Sequence, residues 1–272
     1  MARWSERVVV LTGATDGLGR ALAGRLATDP QIRLVLHGRD PDRLAGLRRE
    51  LADRPARVDT VRADLADLTQ VRRLADDVAA ITDRIDVLVN NAGVGAGEPD
   101  GTTRRLTVDG NELRFAVNYL APFALTQRLL PLLGANGPAR IVNVASIGQA
   151  PIAFDDLTLA RDYSGVRAYG QSKLALITYG FSLAARLDPA RVTVNSLHPA
   201  TFMPTKMVLD SVGYSIDSLE TGLDATDRLV RGPALDGITG RFYDRTAEAR
   251  ALPDAYDPEI RERLWRISEQ LT

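Results

Sequence analysis

Hydrophobic and polar positions form two patterns that alternate along this chain. Short runs rich in Val, Ile and Leu recur, and longer amphipathic stretches separate them. Nearly continuous apolar runs are typical of parallel strands that are covered on both faces. The pattern predicts strands at Arg7–Leu11, Ile32–Leu36, Arg57–Arg62, Ile85–Val89, Arg140–Ala145 and Arg191–Leu197.

The amphipathic stretches predict helices on both faces of this sheet. Strands that alternate with helices indicate the α/β class and a doubly wound parallel sheet of the Rossmann type. No repeat or linker divides the chain, so we expect one domain over residues 1–272. The predicted helices are Arg20–Ala27, Pro41–Asp53, Asp67–Thr82, Asn111–Leu133, Val166–Leu187 and Asp257–Leu271.

The alternation of strand and helix patterns ends after the sixth predicted strand. Residues 198–231 mix Pro, Thr, Met and Gly with short apolar groups. We expect this segment to cross the carboxyl edge of the sheet as a substrate lid. Several apolar residues either line an apolar substrate pocket there or only pack the segment onto the core: Phe154, Phe202, Met203, Met207 and Val208.

Composition narrows the classes of function. The net charge of −1 gives no basic surface for nucleic acid. No run reaches the roughly 18 apolar residues of a membrane helix, and the first residues do not resemble a signal peptide. The chain has no cysteine, and its two histidines, His37 and His198, lie far apart, so we expect no metal site. These features favour a cytoplasmic protein without membrane insertion.

A glycine-rich turn follows the first predicted strand and precedes a helix. Glycines let the backbone approach a pyrophosphate, which then meets the free N–H groups of the helix N-terminus. Such a turn also occurs for geometry alone, but its position between strand and helix favours a dinucleotide site. The expected cofactor contacts in this turn are Gly13, Thr15, Asp16, Gly17, Leu18 and Gly19.

The end of the second strand bears on the choice of dinucleotide. NAD sites commonly place an acid there, whereas an arginine accommodates the 2′-phosphate of NADP. This strand ends with Gly38 and Arg39, and the Arg39 guanidinium suits a phosphate. Asp40 is the rival ribose ligand, although Asp40 before Pro41 also has the sequence of a helix N-cap. We favour NADP(H) over NAD(H).

Two further strand ends carry candidate cofactor contacts. Asp64 and Leu65 follow the third strand, where the Asp64 carboxylate either accepts the adenine amino group or caps a helix. Asn91, Ala92 and Gly93 follow the fourth strand, where the backbone must pass close to the cofactor.

Tyr169 and Lys173 are spaced i, i+4, which places them on one face of a helix. Ser146 ends the fifth strand, so it meets this helix over the carboxyl edge. A tyrosine there can donate a proton to a carbonyl oxygen if its pKa of about 10 falls. A nearby ammonium lowers that pKa because it favours the phenolate.

Asn118 lies in a long predicted helix, and Pro122 follows it by four residues. Proline has no N–H, so the Asn118 carbonyl loses its helical partner and the helix should kink. A water between this carbonyl and Lys173 is the expected substitute. The alternative is an accidental kink.

Together these segments resemble the short-chain dehydrogenase/reductase family over nearly the whole chain. TGATDGLG, NNAG, VNVAS and YGQSK occur in the family's order and spacing. The resemblance implies that Tyr169 is the general acid/base, Ser146 polarises the substrate oxygen and Lys173 binds the nicotinamide ribose. It further implies that Asn118 holds a relay water.

Retinol-dehydrogenase-like members are the most similar branch, by the insertion before Tyr169 and by the C-terminal segment. The branch places Pro199 and Thr201 beside the nicotinamide. His198-Pro199-Ala200 departs from the usual Pro-Gly, which weakens Thr201 and Thr205 as cofactor contacts.

We therefore expect an NADP(H)-dependent carbonyl reductase or alcohol dehydrogenase, and we expect its small-molecule substrate to be apolar. The alternative is a catalytically silent NADP-binding regulator or scaffold, although silent relatives typically lose the tyrosine or lysine. The glycine spacing argues against an epimerase or dehydratase, and Ser146 lacks the flanking glycines of a hydrolase nucleophile. Gly180 inside the tyrosine helix suggests close helix–helix approach, and hence a homodimer or homotetramer.

Overall fold

A computed structural model describes residues 6–97 and 100–272, which build a single eight-stranded sheet. The strand order is β3-β2-β1-β4-β5-β6-β7-β8. All neighbouring strands are parallel except the last pair, β7 and β8. The strands are β1 (Arg7–Leu11), β2 (Ile32–Gly38), β3 (Arg57–Arg62), β4 (Val87–Asn90), β5 (Ala139–Val144), β6 (Val192–His198), β7 (Arg241–Asp244) and β8 (Ala247–Ala249).

The doubly wound Rossmann-type architecture expected from the sequence is confirmed. Helices cover both faces of the sheet, and two apolar clusters fill the layers between them. The helices are α1 (Gly17–Leu26), α2 (Pro41–Glu50), α3 (Leu68–Ile81), α4 (Leu113–Phe115), α5 (Ala121–Leu129), α6 (Gly165–Ala184), α7 (Lys206–Val212), α8 (Leu219–Arg231) and α9 (Pro258–Leu271). No helix within the described ranges is both long and apolar enough to cross a membrane.

The long helix predicted around Asn118 is interrupted by a π-helical turn. Residues 116–120 form this turn between α4 and α5, and the Ala121 N–H bonds to the Ala116 carbonyl. Pro122 follows at once and has no N–H for the preceding turn. The interruption expected from the proline is therefore present, as a widened turn that adds one residue to the helix.

The lid is shorter than the sequence pattern suggests. His198 is the last residue of β6, and α8 is an amphipathic helix whose Leu223 and Leu229 are buried in the core. Residues 199–218, with α7, remain as the excursion that we call the lid. Phe154 lies outside it, packed on the core with the Arg263 guanidinium over its ring.

Gly180 does not support the expected helix–helix contact. A Cβ built on Gly180 would lie 3.0 Å from both Asn143 Nδ2 and Ser196 Oγ, which belong to β5 and β6. The glycine therefore lets α6 approach the chain's own sheet, and it carries no argument for a dimer. Homodimer or homotetramer formation stays a prediction.

An aromatic cluster joins α6 to α9 and to the interrupted helix. Ring centroids 5.0 to 6.4 Å apart connect its members. Tilted and edge-on contacts of this kind add to the free energy of simple burial. The rings are those of Phe115, Tyr119, Phe123, Tyr179 and Trp265.

Candidate active site

The glycine-rich turn after β1 forms a cradle that has no room for side chains. Gly13 has a φ of +67°, and a Cβ on it would lie 2.7 Å from the Ala92 Cα. A Cβ on Gly19 would collide with the Gly13 carbonyl. Leu18, the residue between the second and third glycines, is buried in the core. A bare backbone surface at a helix N-terminus fits the pyrophosphate of a dinucleotide.

Thr12 joins this turn to the segment after β4, although it was not among the expected site residues. Its hydroxyl accepts hydrogen bonds from the Asn91 N–H at 3.0 Å and from the Ala92 N–H at 3.1 Å. The Asn91 side chain in turn donates to the carbonyls of Thr12 and Gly13. The two predicted cofactor segments are thus held together.

His37 also holds this turn in place, which no sequence pattern indicated. Its Nδ1 accepts the Gly13 N–H at 3.3 Å, and its Nε2 lies 3.1 Å from the Ala63 carbonyl. Burial lowers the pKa of His37 to about 4. The neutral ring therefore ties the nucleotide turn to the ends of β2 and β3.

At the end of β2, Arg39 is exposed and Asp40 is the N-cap of α2. The Asp40 Oδ1 accepts the N–H groups of Asp42 and Arg43, which confirms its structural role as a cap. Gly38 has close neighbours, because a Cβ there would lie 2.6 Å from the Thr15 methyl. The small size of Gly38 therefore fits the packing of this turn.

Asp64 is not the N-cap of α3. Its Oδ1 accepts the Ala66 N–H at 3.0 Å in a tight turn, and Asp67 caps the helix instead. Leu65, between them, is buried. The role of Asp64 and Leu65 toward adenine stays a prediction.

Three of the four predicted catalytic side chains meet at the carboxyl ends of β4 and β5. Ser146 lies beside Tyr169, because a Cβ on Gly148 would be 3.4 Å from Ser146 Oγ and 3.8 Å from the Tyr169 ring. The Lys173 ammonium lies 5.6 Å from the centre of that ring. Lys173 Nζ donates to the Val144 carbonyl at 2.9 Å. A Cβ on Gly93 would lie 3.6 Å from the same ammonium, which brings the segment after β4 to this site.

The protonation of this group differs in part from expectation. Burial raises the pKa of Tyr169, while the hydrogen bond with Ser146 acts in the opposite direction. Burial also lowers the pKa of Lys173 to about 8. The expected lowering of the tyrosine pKa is therefore not found in the chain alone, because desolvation of the phenolate outweighs the effect of its neighbours.

Asn118 is fully buried, and its side chain joins α6 to the segment after β4. Its Oδ1 accepts the Val94 N–H at 2.7 Å, and its Nδ2 donates to the Val94 carbonyl and to Ser172 Oγ. All three contacts are structural. The relay water at its main-chain carbonyl stays a prediction.

The lid begins with Pro199 and Thr201, and several hydrogen bonds hold Thr201 in place. The Thr201 hydroxyl lies 3.0 Å from His198 Nε2, and its N–H donates to Asp217 Oδ2 at 2.7 Å. Arg245, in the turn between β7 and β8, bonds to both Thr201 and Asp217. These contacts close the base of the lid.

The body of the lid rests over the predicted cofactor cleft. A Cβ on Gly17 would lie 3.0 Å from the Thr205 methyl, and one on Gly95 would lie 2.6 Å from Met207 Cγ. Phe202 remains exposed, with a φ of +45°. The lid therefore contacts both walls of the cleft, at α1 and at the segment after β4.

Arg114 organises the loops around the site, and no sequence signal indicated it. Its guanidinium is buried and bonds to the Gly95 and Ala96 carbonyls, to Glu112 and to the Tyr163 hydroxyl. Glu112 also caps α4. A buried charge with this many partners fixes the segment after β4 against the start of α6.

Comparison with known proteins agrees with the geometry. Residues 7–212 match the family described as short chain dehydrogenase. Retinol dehydrogenase 14 from Homo sapiens is 34% identical over 97% of this chain and 85% of its own length. A crystal structure of an uncharacterised protein from Mycobacterium paratuberculosis superposes with a TM-score of 0.75, at 29% identity, over 98% of this chain and 94% of that one. The Pseudomonas aeruginosa RhlG/NADP complex gives 0.70, at 26% identity, over 88% and 94%.

Proposed function

The chain belongs to the short chain dehydrogenase family, and from that premise we propose that it is an NADP(H)-dependent oxidoreductase. It interconverts a carbonyl compound and the corresponding alcohol. The observation that carries the proposal is the convergence of Ser146, Tyr169 and Lys173 beside a cradle without side chains. The fit of NADP to that cradle is supported by the similar structure that was solved with NADP.

The residues that would hold the cofactor lie along the strand ends. Gly13, Gly17 and Gly19 with Thr15 would face the pyrophosphate, and Arg39 the 2′-phosphate. Asp64, Leu65, Asn91, Ala92 and Gly93 would line the adenosine side, while Pro199 and Thr201 would border the nicotinamide. When bound, the nicotinamide supplies or accepts the hydride. The chain's own part is to bind, to orient and to move the proton.

Ser146 and Tyr169 handle the substrate oxygen. The Ser146 hydroxyl, which lies beside Tyr169, would polarise the carbonyl and fix its position. The Tyr169 hydroxyl would donate its proton to that oxygen during reduction and accept it back during oxidation. Lys173, buried beside the tyrosine ring, would stabilise the phenolate left by this transfer.

Support for an apolar substrate comes from the lid and from the relatives. Met207 faces Gly95 across the cleft, and Ile147 beside Ser146 is about half exposed. A similar human protein is a retinol dehydrogenase. An apolar alcohol or ketone is therefore the class that we propose. The cytoplasmic location expected from the sequence stays a prediction.

A panel assay tests the activity directly. Purified protein is mixed with NADPH or NADH and with ketones and aldehydes of increasing chain length, and the absorbance of the reduced nicotinamide is followed. The proposal expects turnover with NADPH and faster turnover with longer apolar chains. Tight binding of NADPH without turnover of any member would support the silent regulator instead.

Arg39→Gln tests the choice of cofactor. A charge-assisted hydrogen bond contributes about 1.5–3 kcal/mol, but Arg39 is exposed and solvent weakens the pair. We therefore expect NADPH affinity to fall about tenfold, or about 1.4 kcal/mol, with NADH affinity unchanged. Fluorescence titration of the two reduced nucleotides gives the measurement. Equal losses for both would mean that Arg39 does not meet a 2′-phosphate.

A further inference from the structure

An ion pair crosses the rim of the nucleotide cradle. Asp16 precedes α1 and Arg43 lies in the first turn of α2, and Arg43 Nη1 is 3.0 Å from Asp16 Oδ2. Both side chains are about half exposed. In this fold the pyrophosphate binds at the N-terminus of α1, and the ribose binds beside the residues that follow β2. We therefore expect the pair to lie between the pyrophosphate and ribose positions.

The Asp16 carboxylate accepts hydrogen bonds from groups that could otherwise bind a phosphate. Its Oδ1 accepts the Gly17 N–H at 2.8 Å, at the start of α1, while Oδ2 meets the Arg43 guanidinium. A helix N-terminal N–H and an arginine fork are the groups that proteins use for phosphate oxygens. A fixed negative charge also repels a phosphate that binds close to it.

We propose that Asp16 is a specificity-determining residue that acts against the 2′-phosphate, because it holds Arg43 and adds a negative charge at the rim. Arg43 is then the second cation of the 2′-phosphate position, beside Arg39. The proposal rests on the nucleotide site of the proposed function. It concerns the ratio of the NADPH and NADH affinities, and not which of them is larger in the parent protein.

Both arginines follow the end of β2 closely in the chain. Arg39 follows β2 directly, and Arg43 lies one helical turn beyond it, with its N–H on the Asp40 cap. Thr15, the neighbour of Asp16, packs against Gly38. The ion pair thus lies next to the backbone that carries Arg39. NADH, without a 2′-phosphate, gains little from a released Arg43.

Asp16→Asn is the principal test, because asparagine keeps the N-cap oxygen for the Gly17 N–H and removes only the charge. We expect NADPH to bind about fivefold more tightly, or about 1 kcal/mol, and NADH affinity to change less than twofold. The gain should shrink as salt is added. Affinities come from fluorescence titration, and thermal unfolding verifies that the variant is folded. Asp16→Ser provides a second variant that also keeps a cap.

Glu50→Gln is the matched control. Glu50 pairs with Arg20, so this variant breaks another exposed ion pair between α2 and α1, at the far end of α2. It removes the same charge, and we expect no change in the affinity of either nucleotide. Adding Arg43→Met to Asp16→Asn should abolish most of the gain.

Three results would overturn the proposal: an unchanged NADPH/NADH affinity ratio in Asp16→Asn, a lower ratio, or an equal gain in Glu50→Gln. The outcome is separable from that of the proposed function. A parent protein that prefers NADH would contradict the NADP(H) proposal, yet the ratio should still rise in Asp16→Asn.

Discussion

At the scale of single residues, burial and hydrogen bonding act in opposite directions on the pKa of Tyr169. The hydroxyl therefore remains protonated at neutral pH. Tyr169→Phe removes this proton and keeps the ring that packs beside Lys173. We expect turnover to fall by roughly 10²–10⁴-fold, while NADPH affinity stays within about twofold. Turnover close to that of the parent on a good substrate would remove Tyr169 from the mechanism.

His37 gives a prediction about stability and pH. Its pKa is about 4 in the folded chain and 6.5 as the ordinary value, so between these values the unfolded chain holds a proton that the folded chain lacks. Stability contributed by the neutral ring is present above pH 6.5 and is lost as pH falls toward 4. At pH 5 the loss is about 2 kcal/mol, because one pKa unit is about 1.4 kcal/mol.

Denaturant unfolding of the parent and of His37→Asn at pH 7 and at pH 5 measures this effect. Asparagine keeps an acceptor for the Gly13 N–H but does not titrate in this range. The parent should lose about 2 kcal/mol more than the variant between the two pH values. Equal losses would contradict a neutral, buried His37.

At the scale of elements, Gly180 shows how closely α6 lies on the sheet. A Cβ on Gly180 would press on Asn143 and Ser196, whose facing polar atoms already lack hydrogen-bond partners among the described residues. We expect Gly180→Ala to destabilise the fold by about 1–3 kcal/mol through overpacking. The oligomeric state, measured by light scattering, should not change.

Gly46→Ala is the matched control for that experiment. Gly46 also lies within a helix, α2, but a Cβ on it would have no neighbour within 4 Å. Alanine there should stabilise the protein by up to about 1 kcal/mol, because it has the higher helix propensity. Similar unfolding free energies for the two variants would show that the contact of Gly180 with β5 and β6 is not tight.

These elements also show what the sequence can and cannot predict. All six parallel strands that were expected are present with ends shifted by two residues or fewer, because a buried parallel strand leaves a local apolar run. β7 and β8 were missed, since they have only four and three residues and their partners lie far along the chain.

The same distinction applies to the site. Ser146, Tyr169 and Lys173 could be placed together because Ser146 ends a predicted strand, and Tyr169 and Lys173 share one face of the helix that follows. His37 and Arg114 could not be recognised, since their roles depend on partners distant in sequence. The role of Gly180 was interpreted wrongly for a related reason. A glycine within a helix indicates that another element approaches closely, but it does not indicate which element.

At the scale of the whole molecule, the C-terminal part of the chain holds the lid. Arg245, beyond the matched family region, bonds to Thr201 and Asp217 at the two ends of the lid. Arg245→Met should therefore loosen residues 202–216 while the sheet stays folded. We expect local opening to become about five- to tenfold more frequent, or about 1–1.4 kcal/mol.

A lysine-specific protease can report this opening. The sequence has two lysines: Lys173 is buried in the site, and Lys206 begins the lid helix α7. Cleavage of the folded protein should occur after Lys206, and about five- to tenfold faster in Arg245→Met. Equal rates in parent and Arg245→Met would mean that the pair does not hold the lid.

The aromatic cluster makes the fluorescence of Trp265 a probe of helix packing. Trp265 is one of two tryptophans, and the other, Trp4, lies outside the described residues. The Trp265 ring stacks near Tyr179 of α6, and the Arg186 guanidinium lies 4.1 Å from its centre. The fluorescence emission of Trp265 is thus sensitive to the packing of α9 against α6, the helix that carries Tyr169. In Trp4→Phe, a shift of the emission maximum to longer wavelength would mark separation of α9 from that helix without any added dye.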